Sequence, residues 1–152
     1  MQYPVCGRLC VIGLGLIGAS FAQAIKDYNT NHPQKPLCQT IVGVDFNQDS
    51  VNAAVLAKIL HNGFTDVYQG ITSADVILLA VPVKSVHAIL QVIKHAMMSG
   101  DVNKECIITD VGSTKVNILE DVKQVFGNQL PNFIPAHPIA GAENSGFYAR
   151  NP

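Results

Sequence analysis

Gly13-Leu14-Gly15-Leu16-Ile17-Gly18 follows a short apolar run, residues 8–12, and opens a helical segment, residues 16–28. Glycines at this spacing between a strand and a helix mark the first turn of a phosphate-binding βαβ unit. Outward from that turn, strand-like and helix-like patterns alternate. Residues 40–44 read as a second strand ending at Asp45, after a polar loop, 29–39, with two prolines. Residues 48–60 read as a helix, with Val51, Val55, Leu56 and Ile59 spaced for one face. Residues 65–67 are a weak third strand, 76–80 a fourth, and 84–98 a helix. Residues 107–109 are a strand, 115–126 a helix and 133–135 a last short strand. Strands separated by helices of this length imply parallel crossovers. The strands are continuous apolar runs, such as Val76-Ile77-Leu78-Leu79-Ala80, as expected where both faces are covered. The expected fold is α/β: one Rossmann-type domain over residues 1–152, a doubly wound, mainly parallel sheet with helices on both faces.

Composition agrees. A chain of 152 residues can bury a sizeable core. Hydrophobic residues make up 48% and charged residues 14%. The net charge of −1 gives no electrostatic support for a nucleic-acid or anionic-membrane partner. No apolar run reaches the roughly 18 residues that span a bilayer, and the start lacks the basic region of a signal peptide. A cytoplasmic location is expected. Cys6, Cys10, Cys38 and Cys106 form no Cys-x-x-Cys pair and read as buried reduced thiols. No His or Cys pair has zinc-ligand spacing, so no metal is expected.

The glycine turn assigns a cofactor. Gly13 permits the tight turn, Gly15 lets a pyrophosphate approach the backbone, and Gly18 lets the helix pack close to the sheet. The helix start, with Leu16 and Ile17, presents N–H groups and a positive dipole end to the phosphates. Asp45 is placed to accept hydrogen bonds from the adenine ribose. It lies 27 residues after Gly18, beyond the usual spacing of about 20, and the polar loop accounts for the surplus. Phe46 and Asn47 follow without an Arg or Lys to hold a 2′-phosphate, which favours NAD over NADP. Asp45 has a blander reading as a cap on the next helix, which Asp49 or Ser50 serves equally. Val81-Pro82 closes the fourth strand at the carboxyl edge, where ligands bind in open sheets. Pro82 reads equally as the first residue of a helix.

Two further segments carry chemistry. Asp110-Val111-Gly112-Ser113-Thr114-Lys115 follows the next strand. Ser113 or Thr114 suits a helix cap, and the Ser113 hydroxyl also falls at the carboxyl edge beside a nicotinamide. Pro135-Ala136-His137-Pro138 follows the last strand at the same edge, on a backbone stiffened by proline. A histidine titrating near pH 6.5 can take the hydroxyl proton that must leave as an alcohol gives up hydride. His137 and Ser113 are therefore the candidate catalytic pair. His32, His61, His87 and His95 lie in loops or on helices and read as surface residues.

Together, GLGLIGAS, DVGSTK and HPIAGAENSG resemble the nucleotide-binding domain of the prephenate dehydrogenase family, with its arogenate-specific relatives, over nearly the whole chain. The resemblance implies NAD-dependent oxidative decarboxylation of prephenate to 4-hydroxyphenylpyruvate in tyrosine biosynthesis. It carries the family histidine, which contacts the ring hydroxyl, onto His137, and the supporting serine onto Ser113. It carries the family glutamate of the HPIAG segment onto Glu143, on the substrate side. Ala142 stands where the family usually has Ser or Thr, so a role at that position does not transfer. The family's second domain is largely helical, forms a homodimer and supplies a substrate-binding arginine. Prephenate has two carboxylates and calls for arginine, yet this chain has only Arg8 and Arg150, and Arg8 lies at the wrong edge. The chain is therefore expected to be the cofactor half, with the substrate and dimerisation domain absent. The rivals are an arogenate dehydrogenase, a dehydrogenase of the 6-phosphogluconate type, and a non-catalytic NAD-binding regulatory module. The HPIAG segment argues against the 6-phosphogluconate type, which relies on a catalytic lysine. The regulatory module would need the glycine turn and Asp45 but not Ser113 and His137.

Overall fold

The computed structural model describes residues 2–128 and 131–136. Six parallel strands form one sheet: β1 (Cys6–Ile12), β2 (Cys38–Val44), β3 (Asn62–Phe64), β4 (Val76–Leu79), β5 (Ile107–Asp110) and β6 (Asn132–Pro135). Their spatial order is β3-β2-β1-β4-β5-β6. This is the doubly wound order of two mononucleotide-binding halves, and it reverses direction between β1 and β4. The expected α/β fold class, a doubly wound parallel sheet with helices on both faces, is thus the observed one.

Both faces of the sheet are covered, and the strand residues divide between them with a period of two. In β1, Leu9 and Val11 join one core cluster while Cys10 and Ile12 join the other. Leu78 of β4 faces the first cluster, and Ile77 and Leu79 face the second. Helices α1 (Leu16–Asn31) and α2 (Gln48–Leu56) cover the first face. Helices α3 (Val67–Ile71), α4 (Val83–Ser99) and α5 (Lys115–Phe126) cover the second.

The helices form for different local reasons. α4 buries Val86, Ile89, Leu90, Ile93, Ala96 and Met97 in a stripe of i, i+3, i+4 spacing. It stops at Gly100, whose φ of 82° closes the last turn in the left-handed region. α1 buries only Gly18, Ala19 and Ala22, small residues that let it lie close to the sheet.

Two expectations fail, both near the β2–β3 edge. The helix expected over 48–60 ends at Leu56. Lys58 turns the chain with a φ of 58°, and Ile59 and Leu60 enter the core from this turn instead of from a helix face. Val55 and Leu56, expected on the buried face, are 37% and 85% exposed. The strand expected at 65–67 lies earlier, at Asn62–Phe64. Asp66 instead caps α3, a short helix the apolar periodicity did not reveal, by accepting from the Gln69 N–H at 2.8 Å.

Candidate dinucleotide site and reaction edge

The strand order reverses between β1 and β4, the point at whose carboxyl edge ligands enter the crevice of an open α/β sheet, and the glycine turn lies at that edge, between β1 and α1. Gly13 has a φ of +97°, and a Cβ there would strike the backbone carbonyl of Ala80. Gly18 is equally constrained, because a Cβ would strike the carbonyl oxygen of Gly13. Gly15 is different. Its φ of −73° and ψ of −162° are extended backbone open to any residue, and a Cβ there would meet nothing within 4 Å. The fold thus requires Gly13 and Gly18 and has no use for Gly15. What Gly15 keeps clear is the space before the first turn of α1. That helix has no side-chain cap and no acidic residue in its first turn, so its leading N–H groups and positive dipole end stay available to an anion. A pyrophosphate fits this cradle. Leu16 and Ile17, the first helical residues, are half-buried at its mouth.

The end of β2 is tied directly to this turn. One Asp45 oxygen accepts the Leu14 N–H at 2.7 Å, and the other accepts the Asn47 N–H at 2.9 Å. Asp45 therefore does not cap α2. Asn47 does so, accepting from Asp49 and Ser50 at 2.9 and 3.4 Å. Each carboxylate oxygen has acceptor capacity left for a ribose hydroxyl. Across the crevice, Ala80 donates to the Ile12 carbonyl at 2.7 Å, and Val81 lies against Gly13. Pro82 stands one position earlier than expected, at the N-cap of α4 and not inside it. Gly13, Gly15, Leu16, Ile17, Gly18, Asp45, Val81 and Pro82 are all placed around one crevice.

The same carboxyl edge continues along β5 and β6. Ser113 is exposed just beyond the end of β5. Thr114 takes the N-cap position of α5, but its side chain makes no capping bond. The residue that organises this edge was not singled out from the sequence. Asp110 is the one buried charged side chain among the described residues, 1% exposed. One carboxylate oxygen accepts the Gly112 N–H at 2.8 Å and pairs with the Lys115 ammonium. The other accepts the Ala136 N–H at 3.4 Å. A single carboxylate thus joins the turn carrying Ser113 to the residue preceding His137. The signal in the sequence was a carboxylate at a strand end followed five residues later by lysine. Its burial comes from the pairing of β5 with β6, which sequence distance conceals. His137, Glu143 and Ala142 lie outside the described residues.

All four cysteines are free, and Cys10, Cys38 and Cys106 are buried. Burial pushes the Cys10 and Cys106 thiols up to about 12, so both stay protonated and unreactive at neutral pH. Cys6 is only partly buried, beside Cys38 on the neighbouring strand. Among the described residues no group of three or more His, Cys, Asp or Glu side chains could hold a metal, and no helix is long and apolar enough to cross a membrane. His32, His61 and His95 are exposed as expected. His87 is not purely a surface residue. It is half-buried and pairs with Asp121 at 2.9 Å, linking α4 to α5. Arg8 lies near the amino end of β1 and donates to the Gly70 carbonyl, away from the crevice.

Comparison with known proteins points the same way. The family model described as prephenate dehydrogenase, nucleotide-binding domain, matches residues 22–151. Prephenate dehydrogenase of Bacillus subtilis (strain 168) is 33% identical over 141 residues, covering 93% of this chain and 35% of that protein. The chain thus spans about a third of that relative's length. The crystal structure of the A. aeolicus prephenate dehydrogenase with hydroxyphenyl propionate and NAD+ superposes with a TM-score of 0.76 at 26% identity, over 95% of this chain and 46% of that one. Synechocystis arogenate dehydrogenase gives a TM-score of 0.74, also at 26% identity, over 95% of this chain and 45% of that one.

Proposed function

This chain belongs to the prephenate dehydrogenase family, as its nucleotide-binding domain, and from that premise we propose that it binds NAD for the oxidative decarboxylation of prephenate to 4-hydroxyphenylpyruvate in tyrosine biosynthesis. The observation that carries the reading is Gly15, a glycine the fold does not need, before an uncapped helix. It clears the path of the pyrophosphate while Asp45 receives the adenine ribose. NAD+ accompanies the A. aeolicus relative in its solved complex. A 2′-phosphate would be repelled by Asp45, and residues 46–50 contain no cation to compensate, which supports NAD over NADP.

NAD+ supplies the hydride acceptor. The chain's own residues orient the substrate and manage one proton. His137 accepts the ring-hydroxyl proton as hydride departs from the same carbon. The Ser113 hydroxyl supports that exchange from the neighbouring strand end, and Glu143 belongs to the substrate side. Asp110 positions both segments. Loss of CO2 completes an aromatic ring, so the reaction is strongly downhill and orientation is the main demand on the protein. The two substrate carboxylates need an arginine beyond this crevice, since Arg8 faces elsewhere. A helical domain in the rest of the enzyme fills that need and forms a homodimer. The enzyme works in the cytoplasm. Arogenate is the second reading, favoured by the equal identity of the Synechocystis enzyme. A substrate panel on the complete enzyme separates the two.

Calorimetric titration of this chain tests the cofactor reading. NAD binds, and NADP binds at least about tenfold more weakly, the effect of roughly 1.4 kcal/mol. Gly15→Val abolishes NAD binding while moving the melting midpoint by less than about 4 °C. Retained NAD binding in that variant would overturn the reading.

A further inference from the structure

We propose that Cys6 and Cys38 are a reversible oxidation site, closing to a disulfide when hydrogen peroxide reaches them. The pair lies at the amino ends of β1 and β2, the edge opposite the glycine turn and Asp45, and is independent of the cofactor. Directly paired residues of adjacent strands bring their Cα atoms about 4.8 Å apart, within the roughly 4.4–6.8 Å that a disulfide spans. Cys6 and Cys38 are such a pair. Cys38 is buried in one core cluster and Cys6 packs against it, while Cys10 and Cys106 lie in the other cluster, across the sheet. The backbone beneath the pair is fixed. The Leu37 carbonyl accepts the Val5 and Cys6 N–H groups at 2.9 and 3.1 Å. Asn29 of α1 accepts the Leu37 N–H at 2.7 Å and donates to the Cys38 carbonyl at 2.8 Å.

The two sulfurs differ in reactivity. The Cys6 thiol hydrogen-bonds the Cys38 sulfur and draws the Cys38 thiol below its ordinary value. Burial opposes this, and the Asn29 amide, 4.0 Å from the sulfur, assists it. The same bond, with burial, raises the Cys6 thiol. Cys38 therefore supplies the thiolate, the form that attacks. It is 2% exposed, so the oxidant must be as small as hydrogen peroxide and must pass the partly buried Cys6. The Cys38 sulfur attacks one peroxide oxygen: an S–O bond forms, the O–O bond breaks, and the leaving oxygen takes a proton and departs as water. The Cys6 sulfur then attacks the Cys38 sulfenic acid. The S–S bond forms, the S–O bond breaks, and a second water leaves with the Cys6 proton. Two thiols have lost two electrons and two protons, and one peroxide has become two waters. A thiol reductant meets the Cys6 sulfur first and expels Cys38, the better leaving group. The link closes a loop over residues 6–38, which holds the glycine turn and all of α1, and so constrains the opening of that unit.

Peptide mapping tests this on the complete enzyme, treated with hydrogen peroxide, alkylated under denaturing conditions and digested. A linked Cys6–Cys38 peptide is expected, with Cys10 and Cys106 still alkylated, and dithiothreitol should restore all four thiols. In Cys6→Ser, Cys38 should stop at the sulfenic acid and be captured by dimedone. Amide exchange across α1 should slow about tenfold or more in the oxidised protein and recover on reduction. Cys6 and Cys38 both still alkylated after peroxide would overturn the proposal, as would their loss to sulfinic or sulfonic acid without a linked peptide. Unchanged exchange in fully linked protein would overturn the constraint on the β1-α1-β2 unit.

Discussion

The two ends of the crevice are built by opposite means. At the β1–α1 turn, position is set by backbone alone: Gly13 and Gly18 admit close approach, and the helix terminus offers its own N–H groups. At the β5–β6 end, position is set by one buried carboxylate that gathers a turn, an ammonium and a neighbouring strand. Phosphate recognition needs only backbone donors in the right place, so it survives wherever the glycine spacing does. The proton transfer proposed for His137 and Ser113 needs particular side chains held in place, and Asp110 joins the turn that carries Ser113 to Ala136.

The largest effect that would sharpen this contrast is chemical. In the complete enzyme, His137→Asn is expected to lower kcat by about 10²–10⁴, the scale of general acid–base catalysis, with NAD affinity changed less than about twofold. Equal losses in both would make His137 a structural residue and break the contrast. Next comes Asp110→Ala, which strands the Lys115 charge and frees the Ala136 backbone. It should cost about 3 kcal/mol in denaturant unfolding, against little change in NAD affinity. A loss below about 0.5 kcal/mol would show that the carboxylate does not organise the edge. Smallest is Gly13→Ala, expected to cost about 1–3 kcal/mol through its positive φ together with the collision of the new Cβ with the Ala80 carbonyl. Gly15→Val, by comparison, loses ligand and keeps stability. If both glycine variants lost stability alike, Gly15 would belong to the fold and not to the ligand.

The sequence was most legible where one local signal ruled. α5 spans Lys115–Phe126, the expected bounds, because its apolar stripe and flanking glycines agree. The glycine turn was legible because its spacing agreed with the strand before it and the helix after it, and Asp45 because it ends a clear apolar strand, although off the usual spacing. Legibility failed where tertiary contacts overrode local preference. β3 is Asn-Gly-Phe, two poor strand formers held by pairing with β2, and no local pattern announces it. Gly63 is accepted there because a Cβ would strike Val51 of α2. Val55 and Leu56 kept helical spacing, but the turn at Lys58 let Ile59 and Leu60 take the core instead. Asp110 was visible as a residue and invisible as a hub, because its partner Ala136 is brought in only by a strand 22 residues further along.

The all-parallel sheet also imposes a timetable. No two adjacent strands are joined by a hairpin, so every pairing waits for a crossover to be completed. β1, at the centre, finds β2 first and β4 only after three further elements have left the ribosome. The cofactor crevice can therefore assemble while the chain is still being made. β6 comes last and docks on the outer side of β5, delivering Ala136 to Asp110. The nascent domain can thus pair β1 with β2 and β4 around the glycine turn before β6 brings Ala136 to Asp110.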